Sequence, residues 1–294
     1  MMKGLPLKIK NISRKGSNVV LEKHLFLTII VVVIITGSLT ITSFSTSATS
    51  ALCTYVTGAD TGSHSSTFNS QVDALLHYAT SRDIAQQSHD EIFLSLNVLR
   101  SLAPCNFLVF GLGYDSLMWA AFNPRGITLF LEEDIKWVHK VLSRTPLLRV
   151  HAVDYDTRLS DADGLLESYK SVKECLPPRV SLRGNVHCRL ALSELPDEFY
   201  NKEWDVIMID GPKGYFAAAP GRMSVIFSAA VMARGRTRPG LTHVFLHDVN
   251  RKVEKQFAEE FLCMKYLVKA VDRLWHFAIP PAKYEDGTSK LTFC

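Results

Sequence analysis

A chain of 294 residues, 47% hydrophobic and 21% charged, can bury a sizeable core in one large domain or two small ones. Its net charge of +4 is unevenly spread: residues 1–24 carry six Lys and Arg against one acid, a local +5 that leaves −1 for the rest. The bulk of the chain therefore lacks the basic surface of a nucleic-acid-binding protein, and no internal repeat points to a solenoid.

The basic tail runs directly into residues 25–35 (LFLTIIVVVII), and a weakly polar run extends this stretch to residue 44. About 20 such residues are enough to cross a hydrocarbon core of roughly 30 Å. All the nearby Lys and Arg precede the stretch, and the next Lys or Arg is Arg82. Positive charge stays cytosolic, so residues 25–44 read as a type II signal anchor, with 1–24 in the cytosol and the remainder in a lumen. A signal peptide cleaved near residues 47–51 is the competing reading. Residues 45–70, rich in Ser, Thr and Gly, read as a flexible stem. Six cysteines in a lumenal chain predict one to three disulfides. Cys175 and Cys188 bracket a loop, Cys263 and Cys294 suit a clasp on the C-terminal tail, and Cys105 reads as a buried thiol, with the connectivity left open.

From residue 71 onwards the pattern is that of a folded domain. Val72, Leu75, Leu76 and Ala79 share one helical face, and Ile92, Leu96 and Leu99 another. Apolar runs then predict strands at 107–110, 128–131, 149–153, 204–209, 243–247, 266–271 and 274–279. Helices are predicted near 115–122, 134–143, 160–170, 221–234 and 251–262. Alternation of this kind gives an α/β fold with a mostly parallel sheet covered on both faces. The short turn at Asp272-Arg273 makes one of the last two strands antiparallel. This is the seven-stranded, Rossmann-like plan of class I S-adenosylmethionine-dependent methyltransferases, in which ligands bind beyond the carboxyl ends of the strands.

The candidate site residues stand at those ends. Gly111-x-Gly113 follows the first strand and permits a tight turn and close approach to a ligand, with Ser116 where a third glycine would stand. Asp115 suits either a helix cap or a ligand ammonium group. Glu132 has the spacing of a ribose ligand, and Asp134 that of a helix cap. Asp154 follows the third strand, as an adenine contact or a turn former. Asp210 opens the Gly/Pro-shaped loop 210–215 after the fourth strand, and His247-Asp248 end the fifth. These three suit a general-base group or, together, a divalent cation; hydrogen bonding of His247 and Asp248 to loop backbone is the alternative. Lys213, Tyr215 and Arg222 lie where an acceptor would be held. An NAD-dependent enzyme fits the first strand–helix–strand unit equally well, but the antiparallel terminal pair argues against it.

The segments FLVFGLGYDSLMW (107–119), LFLEED (129–134), WDVIMIDGPKGYF (204–216), AAPGRM (218–223) and HVFLHDVNR (243–251) resemble one plant polysaccharide-biosynthesis family. It contains the glucuronoxylan 4-O-methyltransferases and the irregular-xylem-fifteen proteins, and the resemblance covers roughly residues 70–294. Tyr114, Asn123-Pro124-Arg125-Gly126 and Lys213 look like the irregular-xylem-fifteen branch. The resemblance implies a Golgi protein of xylan synthesis in secondary cell walls, acting on or binding glucuronoxylan, with other xylan-synthesis proteins as partners. It implies either methyl transfer from S-adenosylmethionine to O4 of glucuronic acid or a non-catalytic role. For the enzyme, Gly111, Gly113, Asp115 and Glu132 would bind the cofactor. Asp210, His247 and Asp248 would supply the base or metal site, and Lys213 or Arg222 would pair with the uronate.

Overall fold

The computed structural model describes residues 61–80, 85–282 and 292–294. The basic tail, the predicted anchor at 25–44 and the stem as far as residue 60 lie outside the described residues. Among the described residues no helix is long and apolar enough to cross a membrane. Residues Ser65–Cys294 form one unit.

Helix α1 (Thr61–Thr80) begins inside the predicted stem, so the stem expectation is corrected for residues 61–70. No proline interrupts that stretch, and the helix is free to extend through it. Its predicted apolar face is corrected too: Val72, Leu75, Leu76 and Ala79 are exposed, while Ala74 is buried. Hydrogen bonds hold the helix instead, since the Tyr78 hydroxyl donates to the Tyr114 carbonyl (2.7 Å) and accepts from the Met118 amide (3.2 Å). Helix α2 (His89–Leu102) starts at a capping box, in which Ser88 Oγ accepts the Glu91 amide and the Glu91 carboxylate accepts the Ser88 amide.

Seven strands follow, each within two residues of its predicted span: β1 (Asn106–Phe110), β2 (Ile127–Glu132), β3 (Val150–Ala152), β4 (Val206–Ile209), β5 (Thr242–Leu246), β6 (Leu267–Val271) and β7 (Leu274–Ile279). Between them lie α3 (Ser116–Ala121), α4 (Ile135–Leu142), α5 (Ala162–Ser168), the short α6 (Asp197–Tyr200), α7 (Met223–Arg234) and α8 (Lys252–Phe257), which continues as a π-turn over Ala258–Leu262. The sheet order is β3-β2-β1-β4-β5-β7-β6, and β7 pairs antiparallel with both β5 and β6. This is the class I methyltransferase arrangement. The central strands are apolar throughout because both faces are covered. Leu108, Phe110, Leu131, Ile207, Ile209 and Leu246 pack on one side with α7 and α8. Phe107, Val109, Phe130, Met208 and Phe245 pack on the other with Leu99, Trp119 and Val138.

The strand order reverses between β1 and β4, so their ends diverge and leave a crevice. Two disulfides form, Cys175–Cys188 and Cys263–Cys294, and Cys105 remains a free, buried thiol. Burial, with the nearby Asp205 charge, pushes the Cys105 thiol up to about 12, which leaves it unreactive. The run 234–238 is structural: Arg236 bonds Asp205 (2.8 Å), Arg238 bonds Glu203 (2.8 Å), and Arg234 packs on Phe293 beside the Cys263–Cys294 bridge.

The Cys175–Cys188 bridge spans 13 residues of a segment poor in regular structure. Replacing both cysteines with serine is expected to lower stability by about 3 kcal/mol, the loop-closure value for this length. Urea unfolding of the oxidised protein and of the double variant checks this; equal midpoints would contradict it.

Candidate active site

At the crevice the ends of β1 and β4 meet through glycine. Gly111 has φ +110°, and a Cβ on it would lie 3.0 Å from the Gly211 nitrogen. A Cβ on Gly211 would come within 2.6 Å of the Gly111 Cα. Side chains at either position would force the two loops apart. Gly113 is also confined, since a Cβ there would sit 2.6 Å from Asp115 Oδ1. Ser116, in the place of a third glycine, is buried and accepts the Gly113 amide through Oγ (2.9 Å).

These loops open onto a cavity of about 350 Å³ lined by Gly111, Gly113, Asp115, Glu132, Asp210, Lys213, Tyr215, Arg222 and Asp248 among others. That volume lies within the range of small-molecule sites. Asp115 precedes α3 but makes no side-chain cap; its Oδ2 accepts Trp119 Nε1 (2.9 Å). Burial, then the Asp210 charge, pushes its carboxyl up to about 6. The Glu132 carboxylate accepts the amides of Leu112 and Asp134 (both 3.0 Å), pinning the glycine loop to the end of β2. Burial, then the Glu133 charge, raises it to about 7. Asp134 caps α4 as expected, accepting the Lys136 and Trp137 amides.

On the β4–β5 side, Asp210 Oδ1 lies 2.8 Å from His247 Nδ1, and its Oδ2 accepts Gln87 Nε2 (3.0 Å). Burial opposes ionisation of Asp210, but the His247 hydrogen bond and the Arg222 charge outweigh it, and its pKa falls. Burial likewise pulls His247 down, yet the hydrogen bond and charge of Asp210, with Asp248 and Glu91, hold it above the usual histidine value. His247 itself does not line the cavity; it stands behind Asp210, with Nε2 3.5 Å from Glu91 Oε1.

Arg222, expected to meet an acceptor, is 3% exposed. It donates to the carbonyls of Asp210, Pro212 and His247 and to the Asp248 carboxylate. Its donors are spent inside the fold, so this expectation is corrected. Asp248 has φ +62°, and its carboxylate meets Arg222, Arg251 and Arg273, each at 2.9 Å. Lys213 Nζ turns toward Asp134 (3.4 Å) and its amide donates to Glu133. Tyr215 stands at the cavity wall, largely exposed. Asp154 does not join the site. It is exposed and borders a separate cavity of about 180 Å³ with Asp156 and Arg189; β3 ends level with β2, Ala152 beside Glu132, but Asp154 two residues beyond does not line the crevice.

Ligand atoms of Asp210, His247 and Asp248 lie within 4.8 Å of one another, a spacing suited to a metal ion. The surrounding charge is not suited. The Asp248 carboxylate is already engaged by three guanidinium groups, and His247 Nδ1 is committed to Asp210. These residues do not fit a metal in this arrangement. Asp115, whose pKa is raised by burial and by the nearby Asp210 charge, is the group in this cavity that would gain from a cationic ligand.

Glu91, Gln87, Arg251 and Arg273 were not singled out in the sequence. Ser88-x-x-Glu91 is a legible capping box, but nothing local shows that Glu91 reaches His247 or that its Oε1 accepts the Arg273 amide (2.8 Å).

The chain resembles arabinogalactan O-methyltransferase 1 of Arabidopsis thaliana at 65% identity over 212 residues, covering 72% of this chain and 73% of the relative. It is 47% identical over 231 residues to glucuronoxylan 4-O-methyltransferase 1 of the same plant (76% and 79% covered). It is 39% identical over 267 residues to its Protein IRREGULAR XYLEM 15 (87% and 81% covered). These identities correct the branch expectation: the chain is nearer the two methyltransferases than the irregular-xylem protein. Tyr114 and Lys213 are two rim positions, one packed on Trp137 and the other paired with Asp134. The profile of the IRX15/IRX15L/GXM family matches residues 90–277, and the chain belongs to that family.

Proposed function

We propose that the chain is an S-adenosylmethionine-dependent O-methyltransferase acting on a sugar hydroxyl of a plant cell-wall polysaccharide. The observation that carries this reading is the pairing of Asp115 and Asp210 across one crevice, with Glu132 at the end of β2. When bound, S-adenosylmethionine supplies a methyl group on a positively charged sulfur. Gly111 and Gly113 would let the backbone approach it, Asp115 would face its positive charge, and Glu132 would accept from ribose hydroxyls. Asp210 is the group placed to take the acceptor's proton. It is held ionised by His247 and Arg222, and is therefore ready to accept at neutral pH. A carboxylate of lowered pKa is a weak base. Its proton transfer accompanies formation of the oxygen–methyl bond, when the hydroxyl becomes strongly acidic. His247 is then a positioning residue rather than a contact to substrate.

The 65% identity to an arabinogalactan O-methyltransferase favours arabinogalactan as the acceptor. Glucuronoxylan, implied by the sequence motifs and by a relative at 47%, is the second reading. We also propose a Golgi location, anchored through residues 25–44 with the domain in the lumen. Two disulfides in the domain and six basic residues before the apolar stretch support it.

Three outcomes follow from this reading. Transfer of labelled methyl from S-adenosylmethionine is expected with arabinogalactan in preference to glucuronoxylan; no transfer to either would sink the reading. Asp210→Asn should lower turnover by about 10²- to 10⁴-fold, the usual worth of a positioned base. A variant retaining a tenth of wild-type turnover would remove Asp210 from that role. Cofactor affinity should depend on pH, because a cation beside Asp115 favours its ionised form. Affinity is full above pH 8 and falls as Glu132, near 7, and then Asp115, near 6, take up protons. Calorimetry should show a loss of about tenfold or more by pH 5, of which Asp115→Asn removes the lower limb. A flat wild-type profile would exclude these carboxylates as cofactor partners.

A further inference from the structure

Loop 212–221, which follows β4, presents two large aromatic side chains to water: Tyr215, which lines the cavity, and Phe216, packed against it. Tyr215 is 67% exposed and Phe216 47%, and their rings meet edge to face with centroids 5.1 Å apart. Ala217 and Ala218 are exposed beside them and extend the apolar surface without raising a long side chain over it. The backbone of this loop is braced at several points. The Lys213 amide donates to Glu133, the Gly221 amide to the Lys213 carbonyl (2.9 Å), and the Ala219 amide to the Phe216 carbonyl (2.9 Å). The amides of Leu159 and Ser160 donate in turn to the carbonyls of Ala219 and Ala217 (2.8 and 3.1 Å). Two aromatic rings kept in solvent on a tethered backbone forgo the burial that would stabilise the fold, which is the mark of a contact surface.

We propose that Tyr215 and Phe216 form a stacking platform for pyranose rings of the acceptor polysaccharide adjoining the sugar that is methylated, a role that rests on the methyltransferase reading above. The position within the site selects this occupant. Carboxylates suited to the cofactor project from the β1–β2 side, whereas Tyr215 lines the cavity from the β4 side with Asp210. A pyranose ring has one face of C–H groups and an equatorial rim of hydroxyls. Laid on an aromatic face it buries the apolar side and leaves the rim in water. Aromatic rings with few rotatable bonds make such contacts at little entropic cost. A polysaccharide longer than the cavity must leave it over a rim, and this rim is apolar, carries an exposed ring face and stands on a hydrogen-bonded backbone.

Two measurements on the full-length chain test the platform. In affinity electrophoresis through arabinogalactan, the wild type should be retarded, and the Tyr215→Ala/Phe216→Ala variant should migrate as in a gel without polysaccharide. Tyr215→Trp should keep the retardation, because it keeps a stacking face. In steady-state methyl transfer, Tyr215→Ala should raise KM for arabinogalactan about tenfold, with kcat within twofold and S-adenosylhomocysteine affinity unchanged. Equal retardation of wild type and double variant, or no retardation of the wild type, overturns the proposal. Retardation that depends on the two rings in a protein without methyl transfer would instead sustain the platform and sink the methyltransferase reading.

Discussion

The guanidinium of Arg222 is the interaction on which the rest of the site depends. It ties the carbonyls of Asp210, Pro212 and His247 to the carboxylate of Asp248 and so fixes the loops leaving β4 and β5 against each other. A buried cation is tolerable only because every direction around it offers an acceptor. Removing one partner from such a cluster typically costs about 3–5 kcal/mol, since the remaining charge stays buried and uncompensated. The cluster reaches outward through Asp248 to Arg251 on the approach to α8 and to Arg273 in the β6–β7 turn. The antiparallel end of the sheet is thereby connected to the edge that borders the crevice.

This arrangement divides the cavity electrostatically. On the β1–β2 side, half-buried Asp115 and buried Glu132 are carboxyls with raised pKa, groups that would gain from a cationic or hydroxyl-bearing ligand. On the β4–β5 side, Asp210 is held ionised by His247 and Arg222, with its charge already matched. One half holds carboxyls with raised pKa, and the other a carboxylate whose charge is already paired. The close approach of Gly111 and Gly211 sets the separation between the halves, because any side chain there would push them apart.

Much of this was legible beforehand. Apolar runs marked all seven strands, and the short Asp272-Arg273 link marked the antiparallel pair. Gly111-x-Gly113 and Glu132 marked the β1–β2 side of the crevice, because their spacing is a property of a single strand–helix–strand unit. Asp210 was legible for a related reason, as an acid on a Gly/Pro loop after a buried strand. Two expectations fail where a residue's role is decided by its neighbours in space. Arg222, expected near an acceptor, is an internal tie. Asp154, expected at the adenine, borders a separate cavity. His247, expected to pair with Asp210, does bond to it, but from behind and without lining the cavity.

By itself, then, the sequence determined the fold class, the order of the elements and the loops that line the crevice. All of these rest on periodicity and on short-range spacing, which are local. Only the tertiary structure decided which charges are spent on one another. Glu91 from α2, Arg222 from the start of α7 and Arg273 from the β6–β7 turn converge on the His247-Asp248 strand end from distant parts of the chain. Charge pairing in a low-dielectric interior depends on distances of a few ångströms, and those distances exist only once the sheet has brought the strand ends together.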